Sequence, residues 1–324
     1  REAGAIGRIP LAGIPAKAID SYLEKLIEKG LKVAICEQLE DPKATKGIVK
    51  RGVVRLVTAG TLTESNLLKQ NSNNYLCAIF KSKKSDMYGF SYADISTGEF
   101  KLTEASLNMI FSELARLQPS EIVAPSLAQK IMPFQIVPEE KIDLPEEILN
   151  NYNCSKVPAS IFESNFSLKN LKTVFNTSSL ESFGYPNYKL GFQAAGALVS
   201  YIWETMKGSF PKFDTIVPYE LSEYVLIDAN TRKNLELTET LREKNKYGSF
   251  LWAIDNTKTN MGARLLKSWI CQPLKDLPQI KKRQDIIEEL IDKTDVRLDL
   301  IAVLEKTYDI QRLSTRLSNS TATP

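Results

Sequence analysis

The sequence of 324 residues contains no histidine. That absence excludes imidazole bases and the Ser-His and Cys-His couples of nucleophilic catalysis within these residues. Its four cysteines, Cys36, Cys77, Cys154 and Cys271, lie far apart and form no C-x-x-C pair. A zinc site needs clustered ligands, so no metal centre is expected, and reduced thiols in a cytoplasmic protein are. No stretch approaches the roughly 18 consecutive apolar residues of a membrane span. The chain begins Arg1-Glu2-Ala3-Gly4, with neither an initiator Met nor an apolar signal core, which reads as the interior of a longer sequence. No G-x-x-x-x-G-K-[ST] string occurs, so the backbone cradle that such loops build for nucleotide phosphates is missing. No catalytic residue, cofactor site or metal site is expected here.

What remains is an ordinary globular composition, 43% hydrophobic and 25% charged, able to bury a sizeable core. The length allows two or three domains of roughly 100–200 residues each. The net charge of +3 is too small to identify a nucleic-acid partner by itself. Its distribution is uneven: Lys43, Lys46, Lys50, Arg51 and Arg55 follow one another with no intervening acid. Charge alone leaves a solvated loop and strand face equally open.

Hydrophobic periodicity divides the chain into three segments. In the first, Pro15 precedes a helix over Ala16–Lys29 with Ile19, Leu23, Leu26 and Ile27 on one face, and Gly30 ends it. Strands follow at Lys32–Cys36 and Val53–Val57, then a polar linker over Thr61–Asn74. The second segment reads as strands Tyr75–Phe80, Tyr88–Asp94, Glu99–Leu102 and Glu121–Ala124, with an amphipathic helix at Leu107–Leu117. Strands followed by helix and strand predict an α/β domain. In the third, Leu190–Lys207 is apolar nearly all round and is expected to be buried in a helical assembly. A short strand at Tyr224–Ile227, an Asp228 or Asn230 cap, and helices at Met261–Cys271, Pro278–Ile291 and Val296–Leu317 complete the pattern. Trp203, Trp252 and Trp269 are expected in the core rather than as base-stacking platforms.

Particular strings carry the reading further. Ile9-Pro10-Leu11-Ala12-Gly13-Ile14-Pro15, Val33-Ala34-Ile35-Cys36-Glu37-Gln38 and Val53-Val54-Arg55-Leu56-Val57-Thr58-Ala59-Gly60-Thr61 occur in that order. Together they resemble the latter half of the mismatch-binding domain of the MutS family. Ala93-Asp94-Ile95-Ser96-Thr97-Gly98-Glu99-Phe100 resembles the central hairpin of that family's connector domain. Asp228-Ala229-Asn230-Thr231-Arg232-Lys233-Asn234-Leu235, Met261-Gly262-Ala263-Arg264-Leu265-Leu266, Pro273-Leu274 and Asp309-Ile310-Gln311-Arg312-Leu313 resemble its lever domain. Two positions depart from the family pattern: Lys17 stands where a His is usual, and Ala59 where a Pro is usual.

The resemblance implies a fold class of α/β plus mainly-α. Residues 1–63 would be the later part of a mixed α/β first domain. Residues 64–188 would be a ribonuclease-H-like α/β connector, and 189–324 the first part of a helical lever. It implies a fragment of a protein that binds double-stranded DNA carrying mismatches or small loops. The full-length form would use ATP and Mg²⁺, form a homodimer and dock a MutL-type partner through the connector. In the family, the Phe-x-Glu wedge inserted beside a mispaired base lies upstream of the position matching Arg1, so the resemblance implies that the wedge is absent here. The DNA-facing candidates are Arg1, Arg8, Pro10, Leu11 and Gly13, with Arg51 and Arg55 behind them. In the family, the Pro10–Gly13 loop lies near the minor groove, and arginines beside it would meet phosphates, which position without reading sequence. Arg55 alternates with Val54 and Leu56, so it is expected on the opposite, solvated face. Arg232 and Arg312 are expected to tie helices to carboxylates such as Asp228 or Asp309. Two other classes stay in view. One is a scaffold without DNA binding of its own. The other is a metal-dependent nuclease of ribonuclease-H-like fold, for which Asp94 lacks evident carboxylate partners.

Overall fold

A computed structural model describes residues 13–41, 49–64, 67–126, 141–184, 187–207, 210–213 and 215–319. In the first segment a turn of 3-10 helix at Ala16–Ala18 leads into α1 (Ile19–Glu28). Leu23 and Ile27, four residues apart, are its buried positions. The helix stops where its periodicity predicts. Gly30 takes φ +72, its N–H donates to the Ile27 carbonyl at 2.8 Å, and the Leu31 N–H donates to Leu26 at 3.1 Å. That paired arrangement caps helices that end in a left-handed residue. Strand β1 (Val33–Gln38) then pairs antiparallel with β2 (Arg51–Val57) through a bulge between Ile35 and Cys36. Leu23, Ile27, Val57, Leu62 and Leu68 form the small core beneath them.

The second segment is built on one six-stranded sheet. Its members are β3 (Tyr75–Lys81), β4 (Met87–Asp94), β5 (Glu99–Ser106), β6 (Glu121–Pro125), β7 (Cys154–Val157) and β8 (Val217–Pro218). The order is β7-β6-β3-β4-β5-β8. β3, β4 and β5 form an antiparallel meander, while β6 runs parallel to β3 and β7 parallel to β6. A meander extended by parallel strands on the far side of its first strand is the ribonuclease-H-like order.

Period two in the strands assigns the faces. Leu76 and Ala78 point into a core shared with α4 (Ser164–Val174) and α5 (Lys189–Met206). Cys77 and Ile79 point into a second core against α2 (Leu107–Leu117) and Ile148 of α3 (Glu146–Asn151). A sheet apolar on both faces needs a helical layer on each.

Helix α5 is therefore placed differently from the expectation. It is buried nearly all round, but against the sheet, α4 and β2 rather than within a helical assembly. Gly196 permits the approach, since a Cβ there would sit 2.4 Å from the Ser167 carbonyl oxygen.

The third segment carries α6 (Ala229–Asn234), α7 (Phe250–Ile254), α8 (Asn260–Cys271), α9 (Leu277–Asp292), α10 (Thr294–Leu304) and α11 (Ile310–Ser318). Asp228 caps α6, accepting from the Asn230 and Thr231 N–H groups at 2.9 Å. The expected strand at Tyr224–Ile227 is reduced to a single bridge between Tyr224 and Leu274. The helical pattern expected over Val296–Leu317 is carried by two helices: α10 ends at Leu304, and Asp309 starts α11 by accepting the Arg312 N–H. No residue of α9 or α10 is buried. The three tryptophans are not core residues, being 55%, 47% and 39% exposed at Trp203, Trp252 and Trp269. Each leans on one neighbour instead: Phe210, Tyr247 and the Arg283 guanidinium respectively.

Candidate nucleic-acid interface and its joints

Of the residues expected to face DNA, Arg1, Arg8, Pro10 and Leu11 lie outside the described residues. Gly13 is exposed, with open space where a Cβ would project. Arg51 is exposed at the first position of β2. Arg55 is not on a solvated face. The alternation does separate it from Val54 and Leu56, but its own face is the one on which Val57 is fully buried. Its guanidinium forms a two-pronged ion pair with Glu64. It also donates to the Thr61 carbonyl at 3.1 Å and Thr63 Oγ1 at 3.0 Å. A guanidinium so engaged braces the exit from β2.

The stretch read as a linker is a knot of buried polar contacts. Asp94, at the end of β4, is fully buried and accepts from Asn73 Nδ2 (2.9 Å), the Asn74 N–H (3.1 Å), the Ser96 N–H (2.8 Å) and Ser96 Oγ (2.7 Å). Both its oxygens are thus occupied by donors of this chain, which takes it out of the running as a metal ligand for nuclease chemistry.

Arg312 reaches this knot from α11. Its Nε donates to Ser96 Oγ at 3.1 Å, and its terminal nitrogens donate to the Lys69 and Ser72 carbonyls at 3.1 and 2.8 Å. The carboxylate expected for it, Asp309, is instead gripped by Arg264 of α8 through bonds of 2.6 and 2.9 Å. Arg264 also donates to the Gln70 carbonyl at 3.0 Å. Among the described residues Arg232 likewise pairs with no carboxylate; it donates to the Cys271 and Ile227 carbonyls at 3.3 and 3.2 Å. These arginines tie helices to backbone carbonyls because a guanidinium fork can span several acceptors at once. Burial pushes the Asp309 carboxyl up, but the bonds from Arg264 and the Arg312 N–H outweigh it and hold the group below its ordinary range.

A second joint centres on Glu121, at the start of β6 and fully buried. Its Oε2 accepts from Thr58 Oγ1 (2.5 Å) and the Gly60 N–H (3.0 Å). Its Oε1 accepts from Tyr201 Oη (2.5 Å) of α5 and from Ser155 Oγ of β7. Lys32 Nζ stands 3.9 Å from the same oxygen and 5.4 Å above the Tyr201 ring. Burial, with the Glu121 charge behind it, drives the Tyr201 hydroxyl far above its ordinary value, so it stays a donor. Glu121 did not stand out in the sequence, and Arg264 entered only as one residue of a lever-like string, with no partner expected for it. A Glu opening a strand and an Arg within a helix are common, and their partners are 63 and 45 positions away.

The fold and these joints define a class: a serial protein in which a small α/β unit, a ribonuclease-H-like connector and a helical unit are fastened by buried polar knots. Family models place it within that class. MutS domain I matches residues 1–66, MutS domain II residues 74–214, and MutS domain III residues 230–324. The chain belongs to the MutS family. It is 38% identical to the DNA mismatch repair protein MutS of Synechococcus sp. (strain JA-2-3B'a(2-13)), in an alignment covering all of this chain and 39% of that protein. The MutS of Acaryochloris marina is 41% identical over 98% of this chain and 36% of its own length. That of Lachnoclostridium phytofermentans is 42% identical over 100% and 34%. The chain thus spans little more than a third of the length of these curated relatives.

Proposed function

We propose that this chain supplies the DNA-approach, connector and lever parts of a mismatch-repair protein that binds duplex DNA at mispaired bases or small loops. The observation that carries the reading is the run of MutS domains I, II and III in order along the chain. A mispaired step stacks poorly, so bending and unstacking it costs less than for a paired step. Arg51, together with Arg1, Arg8 and the Pro10–Gly13 loop, supplies backbone contact. Arg55 drops to a supporting role because its donors are already engaged. Within a full-length protein of the bacterial cytoplasm, ATP and Mg²⁺ would drive signalling, and homodimerisation would follow. Neither ATP binding nor hydrolysis is proposed for these 324 residues, which contain no P-loop string.

The test is fluorescence anisotropy of this chain with a labelled duplex, with and without a G·T mismatch, across a salt series. Weak binding to both duplexes that falls steeply with salt supports a phosphate-contacting surface without the wedge. No binding at low salt sinks the proposal. A clear preference for the mismatch would reassign lesion reading to residues near Pro10–Gly13.

One observation supports a partner-docking role alongside DNA contact. A largely apolar groove of about 700 Å³ runs between α4 and α5, with Phe166 and Trp203 exposed at its walls. A MutL-type partner is the proposed occupant. A pull-down of such a partner should be weakened by Trp203→Ala, and an unchanged pull-down removes the groove from the reading.

A further inference from the structure

We propose that Glu121 is the bolt that fixes the orientation of the first domain on the connector. The carboxylate belongs to the connector, yet two of its four hydrogen bonds come from the first-domain side. Thr58 and Gly60 lie on the exit from β2, and Lys32 on the turn before β1. Ser155 and Tyr201 hold it from β7 and α5. The same two oxygens therefore join both sides, and neither side satisfies the carboxylate alone.

Two physical facts make the joint behave as a latch rather than a soft hinge. A fully buried carboxylate cannot give up one side's donors without either admitting water or remaining unpaired, and both are costly. The contact is also sterically close. A Cβ on Gly60 would fall 2.5 Å from Leu76 Cδ1 and 3.1 Å from Glu121 Cβ. Only a residue without a side chain lets the 3-10 turn at Ala59–Thr61 lie on the sheet at this point. Loss of the first-domain donors would open and wet the pocket rather than shift it slightly, because packed interfaces do not deform continuously.

The inference concerns orientation and stands whether or not this chain binds DNA. If the proposed function holds, the bolt also sets where Arg51 sits relative to the rest of the molecule.

Cys36 is exposed on β1 and offers a native labelling site. In a Cys154→Ser background, a second spin label introduced through K84C on the exposed turn after β3 reports the distance between the two domains. The reference protein should give one narrow distance. T58V, which removes a first-domain donor only, and G60A, whose added methyl would press the exit from β2 off Leu76, should shift that distance or broaden it at least twofold. S155A, which removes a connector-side donor only, should leave it narrow while lowering thermal stability. E121Q should behave as T58V does. If E121Q fails to fold, T58V and G60A carry the test. An unchanged distance in T58V and G60A overturns the proposal. So does a distribution broadened as much by S155A as by T58V, since that is the signature of a general packing role.

Discussion

Arg55 and Arg51, four residues apart on one strand, show how far a side chain's role depends on what stands opposite it. Arg51 is exposed, whereas Arg55 is spent on Glu64, Thr61 and Thr63. Arg51→Ala should therefore lower the salt slope of DNA binding by about 0.9, the increment for one lost phosphate contact, without changing the melting temperature. Arg55→Ala should do the reverse. It should cost ~1–3 kcal/mol in denaturant unfolding, as expected for stranding partly buried partners, and leave the salt slope alone. Asp309 gives the pH-dependent counterpart. Its folded pKa lies below its unfolded value, so its contribution is complete above the ordinary carboxylate range. That contribution fades as pH falls through the lower folded value. Asp309→Asn should flatten the acid limb of the stability profile below about pH 4, and an unchanged limb would remove the Arg264 pair from this role.

At the scale of elements, burial separates the connector from the outer helices. Helix α5 is pressed against the sheet and α4, and Gly196 sits where no larger residue fits. Gly196→Ala should destabilise the connector by at least ~1–3 kcal/mol, the usual range for overpacking, because the obstacle is the Ser167 backbone. Thermal unfolding followed by near-ultraviolet circular dichroism reads this directly. Helices α9 and α10 stand at the other extreme, with no buried residue between them. Hydrogen exchange by mass spectrometry should find their amides among the fastest of any helix here and those of β3, β4 and β6 among the slowest. Comparable protection in α9 and β3 would show that these helices are held by something other than the contacts described.

For the molecule as a whole, the stretch between the first and second segments is the point on which the architecture converges. Asp94 organises residues 73, 74 and 96, and Arg312 inserts from the far end of the chain onto Ser96, Lys69 and Ser72. Lysine cannot span these acceptors because an ammonium lacks the rigid fork. Arg312→Lys should therefore loosen the helical unit from the connector. In calorimetry the transition of the helical unit should fall, while the connector transition stays in place. A single transition that shifts as one would mean the two units share more than this joint.

Much of this protein is legible along the chain. Period two and period 3.6 locate β3, β4, β6 and α2 to within a residue of their observed bounds, while the helix expected over Ala16–Lys29 opens as a 3-10 turn and becomes α1 only at Ile19. Local periodicity is enough there because each element buries one face or both. The ordered strings around Val33, Val53, Ala93 and Asp309 point to the family through their residues and their order along the chain. Tertiary structure decided the rest. It turned Arg55 inward, moved α5 from a helical assembly onto a sheet, put the tryptophans at the surface, and gave Asp309 to Arg264 instead of Arg312. It also created the Glu121 joint, whose donors come from residues 58, 60, 155 and 201. A sequence pattern records which residues prefer burial within one element. The partner of a buried charge is set by which distant segments the fold brings within hydrogen-bonding distance, and that is a property of the packed chain alone.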